Sequence, residues 1–235
     1  MVGFARFSPE EFIESLRLRI LVAPFEADVY TRCTHCQVFM RDSPLHPLDC
    51  EMHMAARTRR HNRVRDLLFS TLRSCWPTAE LQKERTLPGA LPGKAGLPMD
   101  ITVQQADGTV YAIDVMVAEP GAPTYVAEGS AGAPDVAAKE REKDKWDRYK
   151  VNYGAEGAPG VTFVPFALEA TGRVGPNALD FLNAKLEVNH PGLLELFYKR
   201  MSAEVARWNS RMVQSARNRI PWVGGLLGGV GLVGQ

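Results

Sequence analysis

The sequence lacks an excess of either charge, an uncharged apolar run long enough to cross a bilayer, and an internal repeat. Its 28 Lys and Arg oppose 27 Asp and Glu, so nucleic-acid binding would require a local basic patch. No apolar run of about 18 uncharged residues occurs, which excludes a spanning helix. The segment Glu10 to Arg19 is charged, so we expect no secretory signal. With no repeat of about 20 to 50 residues, solenoids and propellers are excluded.

The composition is that of a globular chain with a sizeable core. Of the 235 residues, 45% are hydrophobic and 23% charged, which excludes disordered, collagen-like and coiled-coil classes. This length accommodates one full domain with a small appendage, or two small domains.

Hydrophobic spacing predicts an α/β fold in which a mixed sheet of about four or five strands is flanked by helices. A helix begins after the N-cap Ser8, with Phe12, Ile13, Leu16 and Ile20 at helical spacing. Two β-rich runs around Asp107-Gly108 predict a hairpin. The remaining predicted elements are a strand at 160–166 and helices at 62–76, 135–153, 176–186 and 193–219, with loops at 86–99 and 118–134 and a Gly-rich tail at 224–235.

Three of the four cysteines lie within eighteen residues, together with histidines. Cys33 and Cys36 form one close pair and His46 and Cys50 a second, which is the ligand spacing of a small structural zinc site. His35, His53 and His61 fit as replacements for His46 or Cys50. The alternative is that the cysteines are merely buried and the histidines are surface residues. Cys75 has no such partner and is expected in the core.

A basic patch follows the cysteine and histidine segment directly. The density of arginines in this patch suits contacts with nucleic-acid phosphates, although a run of charged residues is also typical of a solvated helix face. The members expected to bind nucleic acid are Arg57, Arg59, Arg60, His61, Arg63 and Arg65.

Two aspartates fall in the predicted hairpin. Asp114 lies in an apolar strand, where an ionised carboxylate needs compensation. A divalent ion shared with Asp100 would supply it, and oxygen ligands suit Mg²⁺ or Mn²⁺. Glu84 and Glu169 are further carboxylates that could complete such a site. The alternative is that Asp100 caps a strand and Asp114 faces solvent.

The residues Pro98-Met99-Asp100, followed after thirteen residues by Asp114-Val115-Met116, resemble the PD-(D/E)XK nuclease core. Together with the Cys/His pairs, Arg60-His61-Asn62, Lys145-x3-Tyr149 and the segment from Phe163 to Gly172, they resemble the C-terminal region of non-LTR retrotransposon polyproteins. The resemblance covers about residues 10–190. It implies a restriction-endonuclease-like fold that follows a small N-terminal zinc knuckle and nicks DNA to prime reverse transcription.

The resemblance assigns roles to individual residues. Asp100 and Asp114 would bind Mg²⁺ or Mn²⁺. Because Met116 stands where the nuclease pattern has lysine, the catalytic lysine would be Lys145, supported by Tyr149 one helical turn later. Lys139 and Lys143 remain rivals for that lysine.

We therefore expect a metal-dependent DNA endonuclease domain of a retroelement, holding structural Zn²⁺ and catalytic Mg²⁺ or Mn²⁺. The expected divisions are a helical segment (1–30), the zinc knuckle (31–56), the nuclease domain (57–190), and a basic helix with its tail (191–235). The expected partners are DNA and the RNA of the element, without a membrane. The expected location is intracellular, and nuclear for activity on chromosomal DNA.

Two alternatives belong to other classes. One is a catalytically inactive nucleic-acid-binding module that uses the basic patch and the helix Lys199 to Arg219. The other is a structural or protein-interaction fragment, which near-zero net charge and the apolar tail favour.

Overall fold

The computed structural model describes residues 7–19, 32–40, 43, 45–187, 190 and 192–218. Expected features at Ile20, at Arg219 and in the tail 224–235 lie outside these residues. The chain order is α1 (Pro9–Arg19), α2 (Met54–Cys75), β1 (Glu80–Thr86), β2 (Pro98–Gln104), β3 (Val110–Ala118), α3 (Pro123–Ala127), α4 (Val136–Tyr153), β4 (Val161–Glu169), α5 (Pro176–Leu182) and α6 (Leu193–Arg217). Short 3-10 turns at His46–Leu48 and Glu51–His53 precede α2, and a π-helical turn at Asn183–Glu187 follows α5.

The four strands form one mixed sheet in the order β1-β2-β3-β4. The first three strands are antiparallel neighbours, whereas β4 runs parallel to β3 from Val110↔Val161 to Ala118↔Glu169. A parallel neighbour requires a crossover connection, and α4 lies in that connection. The expectation of an α/β chain with a mixed sheet flanked by helices is confirmed, as is the hairpin.

Helices cover both faces of the sheet. On one face, α2, α5 and α6 enclose a core that includes Leu68, Ile113, Phe166 and Met201. On the other face, Tyr149 and Tyr153 of α4 pack with Phe163 of β4. Residues of α6 belong to the same hydrophobic core as the sheet. The expected division between 57–190 and 191–235 therefore does not lie between two separate hydrophobic cores. Cys75 is buried in this core, as expected.

Strand β1 was not expected. Its sequence, Glu-Leu-Gln-Lys-Glu-Arg-Thr, contains a single apolar residue, Leu81, and almost all of its residues are exposed. It forms the outer edge of the sheet, where charged side chains protect an open strand from pairing with other chains. Because β1 has no buried face, its sequence lacks the alternation of apolar and polar residues that would predict a strand.

Helix α1 is confirmed, but its packing is the reverse of what its apolar spacing predicts. Phe12, Ile13 and Leu16 are each about half exposed. The buried side chains are instead Glu11 and Glu14, which face basic residues of α6, and Ser15, which hydrogen-bonds Ser210 of α6. The contact between α1 and α6 therefore combines ion pairs with hydrogen bonds.

Arginines of α6 form ion pairs with acidic residues of α1. Arg211 Nε lies 2.6 Å from Glu11 Oε1, and Arg217 pairs with Glu14. Arg207 is itself buried. These arginines pair with acids of α1, which offsets part of the positive charge of the basic helix. No helix in the described part of the chain is long and apolar enough to cross a membrane.

Candidate functional site

Four expected zinc ligands lie together before α2. The ligand atoms of Cys33, Cys36, His46 and Cys50 all lie within 4.8 Å of one another. The Sγ atoms of Cys33 and Cys50 are 3.7 Å apart, which matches the edge of about 3.8 Å of a tetrahedron with zinc–sulfur bonds of about 2.3 Å. This Cys3His cluster can hold a metal such as zinc. In the described residues, it is the only group of three or more such ligands.

Burial has opposite consequences for two of the candidate ligands. Burial lowers the pKa of His46, which favours the neutral imidazole that binds a metal. Burial raises the pKa of the Cys50 thiol to about 12, which favours the neutral thiol over the metal-binding thiolate. A bound metal removes the proton from a coordinating thiol outright, so metal binding and cysteine ionisation are coupled in this segment.

Leu45 and Leu48 pack in one apolar cluster with Met212 and Val213 of α6, but the part of the segment around the cysteines has few apolar contacts. Its own buried apolar cluster consists of Cys33, Met40 and Cys50, with Met52 partly buried beside them. Two of the three buried members are themselves candidate ligands. A metal would therefore supply cohesion that the apolar side chains do not.

A cleft of about 1010 Å³ opens where α2, the sheet and α4 meet. Its wall contains Asp100 of β2, Asp114 of β3 and Lys145 of α4. The three residues come from separate elements, and adjacent strands place the two aspartates side by side. The fold thus brings together the acids and the lysine that the sequence singled out.

Lys145 binds both carboxylate oxygens of Asp114. Its Nζ donates to Oδ1 at 2.9 Å and to Oδ2 at 2.8 Å. The Asp114 side chain is only 14% exposed. Burial raises the pKa of Asp114 and the nearby Asp100 carboxylate adds to the shift, with Lys145 opposing both. Of the three lysines considered, only Lys145 lines the cleft.

Asp100 is held by β3 and by α2. Its Oδ2 accepts the N–H of Val115 at 2.7 Å and lies 3.2 Å from His61 Nε2. Burial opposes ionisation, yet the hydrogen bond and charge of His61 hold the pKa of Asp100 below its ordinary value. The same pairing outweighs burial at the imidazole and raises the pKa of His61.

Glu84 also lines the cleft. It lies between Lys83, paired with Ile101, and Arg85, paired with Met99, and so stands across from Asp100. Its side chain is 70% exposed and forms an ion pair with Arg65.

The other two proposed members lie outside the cleft wall. Tyr149 is buried, stacks on Phe163 with ring centroids 4.3 Å apart, and accepts the N–H of Ala158. It therefore anchors α4 to β4. Glu169 pairs in register with Ala118, four residues or about 13 Å along β3 from Asp114.

The arginines of the basic patch lie in three different environments, namely the cleft, the core and the exposed surface. Arg57 and Arg60 line the cleft, but Arg60 is 2% exposed and donates to Asn209 of α6. Arg65 is also buried and is engaged by Glu84 and Asp66. The expectation that all the arginines face nucleic acid is therefore wrong for these two. Arg59 and Arg63 are exposed.

Sequence reasoning missed two features of the cleft. One is the contact of His61 with Asp100, since the histidine was considered only as a nucleic-acid or zinc ligand. The other is the side of α4 that carries Arg141, Asp144 and Arg148 beside Lys145. Arg141 and Arg148 lie four and three residues from Lys145, and Asp144 lies three and four residues from the same two arginines, so all belong to one side of the helix, which a helical projection would have shown.

No family model matches the sequence, and none of the curated proteins matches it.

Proposed function

We propose that this protein is a metal-dependent DNA endonuclease of the restriction-endonuclease-like class, with a structural zinc knuckle before the nuclease core. The observation that carries the proposal is the convergence of Asp100, Asp114 and Lys145 in one open cleft. The resemblance to retrotransposon polyproteins supports the same assignment, since it selects these three residues from the sequence order.

The donor set of the cleft fits a divalent ion. Two largely buried carboxylates lie close enough for the charge of Asp100 to raise the pKa of Asp114. Carboxylate oxygens in a polar cleft with room for water are the ligands that Mg²⁺ takes. When bound, such an ion would activate a water molecule and polarise a phosphodiester.

The protein residues would supply binding and charge. Lys145 already points its ammonium group at the Asp114 carboxylate, and from there it can stabilise negative charge on a phosphate held in the cleft. Arg57 of α2 and Arg148 of α4 both line the cleft. They would hold the phosphates next to the cleaved bond.

The test is nicking of supercoiled plasmid by the zinc-loaded protein with Mg²⁺ or Mn²⁺. Asp114→Asn is expected to remove nicking, because it removes a charge from the ion site. Asp144→Asn is the matched control, since Asp144 lines the same cleft but contacts Arg141 on its own helix. Equal nicking by wild type and Asp114→Asn would contradict the proposal.

A specific observation favours one alternative, a nucleic-acid-binding module without catalysis. Lys145 already places positive charge beside Asp114, and Asp100 accepts the N–H of Val115 and contacts His61, so these acids have partners within the protein itself. Such a module would bind DNA with a steep salt dependence. Metal-independent binding without nicking would favour it.

A further inference from the structure

We propose that His61 is a nitrogen ligand of the divalent ion in the cleft, and that it makes this site prefer a transition-metal ion such as Mn²⁺ over Mg²⁺. This inference rests on the proposed function, because it concerns the same ion. The juxtaposition that carries it is the position of His61 Nε2 beside Asp100 Oδ2 and the Val115 carbonyl oxygen.

Both contacts of His61 Nε2 have the length expected between neighbouring ligands of one ion. His61 Nε2 lies 3.2 Å from Asp100 Oδ2 and 3.0 Å from the Val115 oxygen. Adjacent ligands on an octahedron with bonds of about 2.1 Å are separated by about 3.0 Å. Either of these two separations would allow His61 Nε2 and the neighbouring oxygen to share one ion.

The second nitrogen of the ring is also arranged as in a metal-binding histidine. His61 Nδ1 lies 3.2 Å from Asn62 Oδ1 and can donate its proton there. Such a contact fixes the ring and leaves Nε2 to the metal. A bound ion would take the place of a proton on Nε2, and Asn62 would hold the ring through Nδ1.

The surroundings leave space for the remaining ligands. His61 is 29% exposed and Asp100 15% exposed, and both line the same open cleft. Water or phosphate oxygens can complete the coordination from the solvent side. An imidazole nitrogen favours first-row transition-metal ions, whereas Mg²⁺ takes oxygen ligands and retains its waters. The expected preference for Mn²⁺ over Mg²⁺ follows from this combination of a nitrogen ligand with oxygen ligands.

The test is pulsed electron paramagnetic resonance of Mn²⁺ bound to the zinc-loaded protein. A directly bound imidazole gives a ¹⁴N coupling, which should be present in wild type and absent in His61→Gln. His190→Gln is the matched control, because His190 lies outside the cleft and outside the Cys3His cluster and contacts the Cys75 carbonyl. In competition titrations, His61→Gln should lower Mn²⁺ affinity about tenfold and leave Mg²⁺ affinity within about twofold.

Three outcomes separate this inference from the proposed function. Coupling that disappears in His61→Gln supports it. Mn²⁺ binding that Asp100→Ala abolishes, but that shows no nitrogen coupling in wild type, overturns the role of His61 and leaves the proposed ion site intact. No Mn²⁺ binding sensitive to Asp100→Ala overturns both. Circular dichroism and zinc content establish that the variants fold, and His61→Asn replaces His61→Gln if the latter does not.

Discussion

Glu119 provides the sharpest stability prediction, because it is a carboxyl group buried directly after β3. Its side chain accepts the N–H of Gly121 at 3.1 Å through Oε1. Oε2 has no hydrogen-bond partner in the described part of the chain. Burial raises the pKa of Glu119 to about 7, with the Gly121 amide and the charge of Arg60 opposing.

The raised pKa of Glu119 determines how the free energy of unfolding depends on pH. Between the ordinary value of 4.5 and about 7, the folded protein keeps a proton that the unfolded chain releases. The free energy of unfolding therefore decreases as pH rises through this window and is level above it. At about 1.4 kcal/mol per pH unit, the full decrease is about 3 kcal/mol.

Urea unfolding at pH 5 and pH 8 measures this effect against Glu119→Gln, which keeps the shape of the side chain but cannot ionise. The variant should match wild type at pH 5 and exceed its unfolding free energy by about 2 to 3 kcal/mol at pH 8. Glu156→Gln, on the exposed surface, should follow wild type at both values. If Glu119→Gln also follows wild type, Glu119 ionises without penalty and the reasoning is refuted.

Three further predictions concern the metal segment and the cleft. Chelation of zinc, or Cys50→Ser, should increase amide exchange at 33–40 and leave the sheet protected, since apolar contacts around the cysteines are few whereas Leu48 packs with residues of α6. Lys145→Met should lower the nicking rate at least about a hundredfold, because it removes the charge beside Asp114; unchanged nicking would exclude Lys145. Arg148→Ala should reduce the slope of log affinity for DNA against log salt by about 0.9, while Lys199→Ala on α6 leaves it unchanged; binding titrations at several salt concentrations decide this.

Elements with a buried face could be predicted from the sequence. Strands β2, β3 and β4 carry apolar residues that the core requires, and they occur where the pattern indicated. The packing of α1 could not be predicted, because burial of Glu11 and Glu14 depends on the arginines of a helix about 200 residues later in the chain. Ion pairs of that range leave no local periodicity.

The candidate site could also be predicted only in part from the sequence. The metal ligands before α2 could be found because their spacing is local. Asp100 and Asp114 were singled out from their place in the predicted hairpin and Lys145 through the resemblance, and the three residues meet in the cleft. Glu169 was misplaced because its distance from Asp114 depends on the register of β4 against β3. The contact of His61 with Asp100 depends on how α2 crosses the sheet, which spacing along the chain does not specify.

The most direct test of the central claim is plasmid nicking by the zinc-loaded protein and by Asp100→Ala, with and without Mg²⁺ or Mn²⁺. Asp107→Ala, in the exposed hairpin turn, is the control. The account predicts metal-dependent nicking in wild type and Asp107→Ala and none in Asp100→Ala, with zinc content and circular dichroism unchanged. No nicking by folded, zinc-loaded wild type, or undiminished nicking by Asp100→Ala, would contradict it.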